Sequence, residues 1–398
     1  MAQVSDKTKI SALRAAADAL KLNMKAILRA NAGDVAAARK KNLSPALIDR
    51  LTLNESRVLA MRDAVLEIAD SKDPVGEVIE VLRGKDGLKI KKVRVPLGVV
   101  AMVYESRPNV TVEAAALCLK AGNSVILRGG SEVLRSNKIL CSTLVRALSR
   151  RGIPRDAVIL IEDSDRSNIY ALSRLDSWVD LLIARGSEKM VTDIKAHATV
   201  PVLGHGKGVC HIYVDKDADL AAAGNIAFNA KVQRPGVCNA AESLLVHRAV
   251  AARFLPEVSR RLGQAGVVFH ADDAARRWIP GAKKATSATW PKEYLDLEMS
   301  VKVVDGLDQA VDHINRYGSG HTDAIVSRNP AAVRKFLKSV DSAAVFANAS
   351  TRLHDGGAFG LGAEIGISTQ KLHARGTMGV RELTTSQYVA EGSGQIRR

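Results

Sequence analysis

The sequence comprises 398 residues, of which 46% are hydrophobic, and this is enough for two or three packed globular domains. The longest apolar run, VVAMVY, has about six residues, whereas a helix that crosses a bilayer needs roughly 20. The net charge of +16 comes from basic residues spread along the chain, and only 4% of the residues are aromatic, so we expect neither a nucleic-acid nor a membrane partner.

The N-terminal region predicts a helical block. From Ser5 to Ile68, alanine, leucine and charged residues recur at helical spacing, which indicates two or three amphipathic helices before Asp73-Pro74 ends the pattern. The first residues alternate in charge and lack the apolar core of a secretory signal. We therefore expect a cytoplasmic protein.

The next stretch, LKIKKVRVPLGVVAMVYES, predicts a half-exposed strand before Pro96 and a buried strand after it. A helix that ends at Gly122 and a buried strand, SVILRGG, follow and complete a parallel crossover unit. Strands and helices go on alternating as far as CHIYVD, a pattern typical of a doubly wound sheet. A second α/β series runs from about Asp219 to Phe346, before a glycine-rich segment and a polar, strand-like tail.

Two strand ends are candidate phosphate-binding turns. ILRGGSE and IARGSEK both place small residues between a buried strand and a helix, with Arg128 and Arg185 alongside. Such turns are often only helix starts, and that alternative stays open. Gly360-Leu-Gly362-Ala-Glu-Ile-Gly366 has one residue too many for a dinucleotide fingerprint and follows the wrong part of the chain.

The four cysteines are too widely spaced for a zinc site or a disulfide framework. Cys118 and Cys141 fall on helix patterns and Cys210 in a strand, where a thiol behaves as a small buried hydrophobe. Cys238 follows Pro235-Gly236 in the loop QRPGVCN, where a thiol can ionise and reach a substrate. It is the candidate nucleophile.

The segment ESRPNV, after the buried strand, offers a cation in Arg107 and an amide donor in Asn109. Either these residues contact a ligand, or Pro108 and Asn109 only form the turn into a helix.

Four longer motifs resemble the glutamate-5-semialdehyde dehydrogenase (gamma-glutamyl phosphate reductase) family of the aldehyde dehydrogenase superfamily. They are VRVPLGVVAMVYESRPNVTVEAAALCLKAGNSVILRGGSE, NAKVQRPGVCNAAESLLVH, INRYGSGHTDAIV and NASTRLHDGGAFGLGAEIGISTQKLHARGTMGVRELTT. The resemblance implies NADPH-dependent reduction of L-glutamate 5-phosphate to L-glutamate 5-semialdehyde with release of phosphate, the second step of proline biosynthesis. It makes Cys238 the nucleophile, which forms a thioester, and it implies no metal.

The same resemblance implies an oxyanion site made of the Cys238 backbone N–H and a side chain. That side chain is Asn109, or Arg107 in an ungapped match to the superfamily. Hydrolytic members carry a water-activating glutamate in a stretch that here reads PVLGHGKG, without a carboxylate. This favours phosphate over water as the acyl partner.

Cations in the family-like motifs are the candidates for the substrate's carboxylate and phosphate. They are Arg107, Arg352 and Arg234, and each is equally compatible with a structural ion pair. By likeness, the cofactor-binding residues are Arg128, Gly129, Gly130 and Ser131 near the adenosine ribose and its 2′-phosphate, with Gly186 and Ser187 at the next helix start. Two stretches depart from the family: IARGS replaces the usual I-P-R-G-G, and the segment from His270 to Trp290 is short and basic.

We expect an aldehyde-dehydrogenase-like α/β fold in three parts. Residues 1–85 and 98–212 form a doubly wound cofactor domain, residues 213–378 an α/β catalytic domain, and residues 86–97 and 379–398 a small oligomerisation β element. The exposed edges of that element predict a homo-oligomer, a dimer or a tetramer. A transient contact with glutamate 5-kinase, which would pass on the labile acyl phosphate, is left open. The alternatives are a hydrolytic NAD(P)-dependent semialdehyde dehydrogenase and, more remotely, a basic nucleic-acid-binding protein.

Overall fold

The computed structural model describes residues 1–84, 87–204 and 206–397, which form two compact units. The first unit comprises Met1–Gly204, Gly360–Gly366 and the chain from Thr377 onward; the second comprises the intervening residues up to Phe359 together with Ile367–Gly376. Within the described ranges, every helix is too short or too polar to cross a membrane.

The N-terminal block contains four helices, so the prediction of two or three is wrong in number. They are α1 (Asp6–Leu22), α2 (Met24–Lys40), α3 (Pro45–Leu51) and α4 (Glu55–Asp70). The breaks follow local capping, because the side chains of Ser44 and Asn54 accept hydrogen bonds from the first turns of α3 and α4. Two strands come next, β1 (Val78–Arg83) and β2 (Lys89–Pro96).

The first unit then forms a doubly wound sheet. Its elements alternate along the chain as β3 (Val99–Tyr104), α5 (Pro108–Lys120), β4 (Ser124–Gly129), α6 (Leu134–Ser149), β5 (Val158–Leu160), α7 (Ser167–Leu172), β6 (Leu181–Arg185), α8 (Glu188–His197) and β7 (Val202–Leu203). The strand order is β5-β4-β3-β6-β7, with every pair parallel. The order reverses between β3 and β6, and ligands of such sheets bind at the carboxyl ends of the strands beside that reversal. The predicted doubly wound architecture is confirmed.

The second unit is built on a seven-stranded parallel sheet. Its elements are β8 (Cys210–Val214), α9 (Leu220–Val232), β9 (Ala241–His247), α10 (Arg248–Gln264), β10 (Val268–Ala271), α11 (Asp273–Arg276), β11 (Lys283–Lys284), β12 (Glu298–Val304), α12 (Leu307–Tyr317), β13 (Thr322–Val326), α13 (Pro330–Ser339) and β14 (Ala344–Ala347). The order is β11-β10-β12-β9-β8-β13-β14. Side chains of β8 alternate between two cores: Ile212 packs with α9 and α10, and Tyr213 with α12 and α13. Short strands β15 (Gly366–Ser368) and β16 (Gly376–Met378) pair with each other in a separate two-stranded sheet.

The last strand, β17 (Thr384–Glu391), joins the small sheet β1-β2-β17. It pairs antiparallel with all of β2, from Thr384 opposite Pro96 to Glu391 opposite Lys89. The sequence predicted β2 and the strand-like tail but not β1, every residue of which is exposed.

Candidate active site

Cys238 lies in the loop between α9 and β9, where Pro235 and Gly236 follow the end of the helix. Its side chain is partly exposed, whereas Cys118, Cys141 and Cys210 are buried. Burial raises the pKa of the Cys141 thiol to about 11 and that of the other two buried thiols still further. Of the four thiols, Cys238 is therefore the one placed to react with a solute.

The peptide group of Cys238 packs directly on the entrance to β8. A Cβ atom built on Gly208 would lie 1.9 Å from the Cys238 carbonyl oxygen and 2.7 Å from its Cα, so this position has no room for a side chain. The Cys210 thiol donates a hydrogen bond to the same carbonyl oxygen at 3.2 Å. The backbone of the nucleophile is thus fixed by close packing against Gly208 and by a hydrogen bond from the buried Cys210 thiol.

Arg352 joins the two ends of the Cys238 loop. Its Nε donates to Gln233 Oε1 at 2.8 Å, and its Nη1 donates to Asn239 Oδ1. Asn239 is fixed further, because its carbonyl oxygen accepts from Thr351 Oγ1 at 2.7 Å and its Nδ2 donates to the carbonyl of His354 at 3.0 Å. The predicted substrate cation Arg352 therefore also braces the nucleophile loop.

The charge around this loop is positive. Burial lowers the pKa of Arg352, and the nearby charge of Arg234 lowers it further, while Asp355 and the thiols of Cys238 and Cys210 oppose the change. Arg234 itself is exposed.

The ESRPNV segment forms a strained turn at the end of β3. Ser106 has a φ of 42°, and its N–H and hydroxyl both donate to Glu132 Oε1 at 2.7 Å. A non-glycine residue in this region of backbone space costs on the order of 1–3 kcal/mol, and here two hydrogen bonds to a partly buried carboxylate offset that cost. Arg107 is the N-cap of α5, and Asn109 Nδ2 donates to Glu113 Oε1 at 3.0 Å.

Glu113 is the carboxylate that faces both candidate oxyanion residues. Burial raises its pKa, while the hydrogen bond from Asn109 and the charges of Arg185 and Arg107 lower it. The structure therefore gathers these candidates around one carboxylate on the first turns of α5.

The turn after β4 brings together Arg128, Gly129, Gly130 and Ser131. Arg128 is 6% exposed, and its guanidinium donates to the carbonyls of Gly129, Ser164 and Asp165. Burial lowers its pKa. This arginine fixes the turn against the segment that precedes α7.

The turn after β6 lies beside β3 at the reversal of strand order. Ser187 is the N-cap of α8, and its N–H donates to Glu105 Oε2 at 2.8 Å. A Cβ on Gly186 would lie 2.7 Å from the same oxygen. The positive end of α8 thus holds an anionic oxygen, as expected for the N-terminus of a helix.

Sequence reasoning missed three charged residues of the second unit. Glu293 Oε1 accepts the Gly208 N–H at 2.7 Å, which brings a carboxylate to the stretch where the sequence has none. Lys231 and Glu242 form a buried ion pair on either side of the Cys238 loop. The sequence signal for Lys231 and Glu242 was a single charged residue within an otherwise apolar helix or strand. Glu293 has no such local signal, because it lies 85 residues from Gly208.

Comparison with known proteins places these features in context. The model of the aldehyde dehydrogenase family matches residues 2–285. The chain is 50% identical over 398 residues to a gamma-glutamyl phosphate reductase of Caldanaerobacter subterraneus subsp. tengcongensis, covering 100% of this chain and 96% of that protein. A Carboxydothermus hydrogenoformans protein of the same name is 52% identical over 397 residues, with the same coverage. The crystal structure of the gamma-glutamyl phosphate reductase of Thermotoga maritima superposes with a TM-score of 0.97 at 46% identity, covering 100% of this chain and 96% of that one.

Proposed function

The chain belongs to the aldehyde dehydrogenase family and, within it, to the gamma-glutamyl phosphate reductases, and from this we propose that it reduces L-glutamate 5-phosphate to L-glutamate 5-semialdehyde with NADPH. This is the second step of proline biosynthesis. The observation that carries the proposal is Cys238, the partly exposed thiol on a loop of fixed backbone in a chain of this family.

The chemistry starts at the Cys238 sulfur. The thiolate attacks the acyl carbon, the bond from that carbon to the phosphate oxygen breaks, and phosphate leaves with the electron pair, so that a thioester forms. NADPH, when bound, supplies the hydride that reduces this thioester. Collapse of the resulting thiohemiacetal releases the aldehyde and returns the sulfur of Cys238.

Both tetrahedral steps place negative charge on the former carbonyl oxygen, which needs donors. We propose the Cys238 backbone N–H with Asn109, or with Arg107 in the ungapped alternative. The second proton of the Asn109 amide is the one used, because the first is directed to Glu113.

Three cations are proposed to hold the substrate's carboxylate and phosphate: Arg107, Arg352 and Arg234. Arg352 commits two nitrogens to Gln233 and Asn239, so its contribution combines charge with support of the loop. Arg234 is exposed, and its charge lowers the pKa of Arg352. An exposed cation beside a second cation suits the first contact with an incoming anion.

The reversal of strand order beside β3 and β6 fits a nicotinamide cofactor, the class of cofactor that aldehyde dehydrogenases use. We propose that Gly186 and Ser187 approach its phosphates, since the Ser187 N–H at this helix start already donates a hydrogen bond to an anionic oxygen. We propose that Arg128, Gly129, Gly130 and Ser131 lie near the adenosine ribose and its 2′-phosphate, with Arg128 also ordering their turn. The preference for NADPH over NADH is part of the proposal.

The predicted three-part division belongs to the same proposal, with β2 and the chain from residue 379 in the oligomerisation element. Exposed apolar side chains lie on both outer strands, including Val81, Leu82, Tyr388 and Val389, which supports pairing with another subunit as a dimer or tetramer. A cytoplasmic location and a transient contact with glutamate 5-kinase stay predictions.

The reaction run backwards tests the function. Glutamate 5-semialdehyde, NADP⁺ and phosphate are mixed with the protein, and reduced nicotinamide is followed by its absorbance. We expect a phosphate-dependent signal that Cys238→Ala abolishes. A signal without phosphate would instead identify a hydrolytic dehydrogenase, with Glu293 the first carboxylate to test as its base.

A further inference from the structure

The charged pair behind the Cys238 loop is fully desolvated. Lys231 Nζ lies 2.8 Å from Glu242 Oε2, and both side chains are 0% exposed. Lys231 belongs to the last turn of α9, and Glu242 is the second residue of β9. The pair therefore closes the base of the loop from which Cys238 projects.

A buried ion pair is a poor way to stabilise a fold. Removing two charges from water costs several kcal/mol per ion, and apolar residues of similar volume at such positions are often neutral or stabilising. Burial raises the pKa of Glu242 to about 7, against the opposing effects of the Lys231 charge and the Leu295 N–H. Geometry rather than stability is the better explanation for this pair.

Glu242 also reaches a second part of the loop's surroundings. Its Oε1 accepts the Leu295 N–H at 3.3 Å, and Leu295 adopts a left-handed backbone with a φ of 54°. A Cβ on Gly236 would lie 3.6 Å from the Leu295 carbonyl oxygen, so this strained residue lies against the turn that precedes Cys238. One carboxylate thus connects the end of α9, the start of β9 and the segment behind the turn.

We propose that Lys231 and Glu242 are positioning residues for the nucleophile: the pair fixes the two ends of the Cys238 loop and, through Leu295, its turn. Neither side chain contacts substrate in this role. The proposal rests on the proposed function for its catalytic consequence, but the orientation of the thiol is measurable without any substrate.

The test compares two electroneutral double variants with the wild type. Lys231→Met/Glu242→Met removes the pair and the acceptor for Leu295, whereas Lys231→Met/Glu242→Gln keeps an acceptor oxygen. Neither leaves an unpaired buried charge, so we expect melting temperatures near that of the wild type. The readouts are the rate of Cys238 alkylation by iodoacetamide, checked with Cys238→Ala, and kcat and KM in the phosphate-dependent reaction.

For the double Met variant we expect the alkylation rate and kcat to change at least about tenfold, the scale typical of a small misplacement of a catalytic group. The KM for NADP⁺ should stay within about twofold of the wild-type value. The Gln variant should lie between it and the wild type. Lys120→Met is the matched control, since Lys120 is also fully buried and paired, with Asp6, but belongs to the other unit. It should lower the melting temperature and leave the alkylation rate unchanged.

A folded double Met variant with wild-type alkylation and kcat would overturn the proposal. If the double Met variant does not fold, the Gln variant is the test. A wild-type alkylation rate in the Gln variant would then overturn the proposal. A wild type without phosphate-dependent activity would refute the proposed function alone, because the alkylation comparison stands without it.

Discussion

Replacing Gly208 by alanine tests whether the backbone behind Cys238 sets the rate of the reaction. The added Cβ would start 1.9 Å from the Cys238 carbonyl oxygen and 2.6 Å from its carbonyl carbon, whereas real Cβ contacts stay above 3.0 Å. Both atoms are backbone, so no side chain can rotate away. The peptide of the nucleophile must therefore move by about 1 Å, and a misplacement of that size can lower turnover by about 10²-fold.

The assay measures kcat for the phosphate-dependent reaction, together with thermal melting and the rate of thiol alkylation. Gly224→Ala is the control: it lies in α9, and a Cβ there meets no heavy atom within 4 Å. Its added methyl should leave kcat unchanged and stabilise the helix by roughly 0.5–1 kcal/mol. If Gly208→Ala folds and keeps wild-type kcat, the close approach of these two peptides does not position the sulfur.

Three further predictions concern the loop brace, the buried pair and the small sheet. Arg352→Lys replaces the two separate nitrogens that contact Gln233 and Asn239 by a single nitrogen on a flexible stem, so kcat should fall about 10–100-fold, measured at saturating substrate, and an unchanged kcat would refute the brace. Burial raises the pKa of Glu242 from its ordinary value of 4.5 to about 7, so the native state binds this proton more tightly than the unfolded state and the free energy of unfolding should fall as pH rises through that window. Urea titrations of Glu242→Gln should lose this slope, and a persisting slope would assign it to another group. Val81→Lys, on the exposed strand β1, should lower the molar mass in light scattering, and a wild-type mass would exclude that strand from the subunit interface.

Periodicity predicted most of the core because buried strands and amphipathic helices leave local patterns in the sequence. The strand β1 was not predicted because all six of its residues are exposed, so buried and exposed positions do not alternate along it. The loop position of Cys238 was predictable from Pro235-Gly236, which mark a turn in any fold. The requirement for glycine at position 208 was not, because it arises from a contact with a residue 30 positions away.

Two of the candidate ligand-binding donors, and one residue next to them, share a property that no motif reveals. The candidates Ser187 and Asn109 donate to Glu105 and Glu113, and the neighbouring Ser106 donates to Glu132, so each of these three donors already meets a carboxylate.

A hydrogen bond to a charged group contributes about 1.5–3 kcal/mol, so an anionic ligand that uses these donors gains only the difference between its own contact and the one it replaces or shares. The carboxylates also hold the turns at the ends of β3, β4 and β6 in shape before any ligand arrives, which reduces the ordering cost of binding. The affinity for an anionic ligand at this edge of the sheet therefore depends on two opposing effects of the same carboxylates. They preorganise the turns, which favours binding, and they compete with the ligand for the donors, which opposes it.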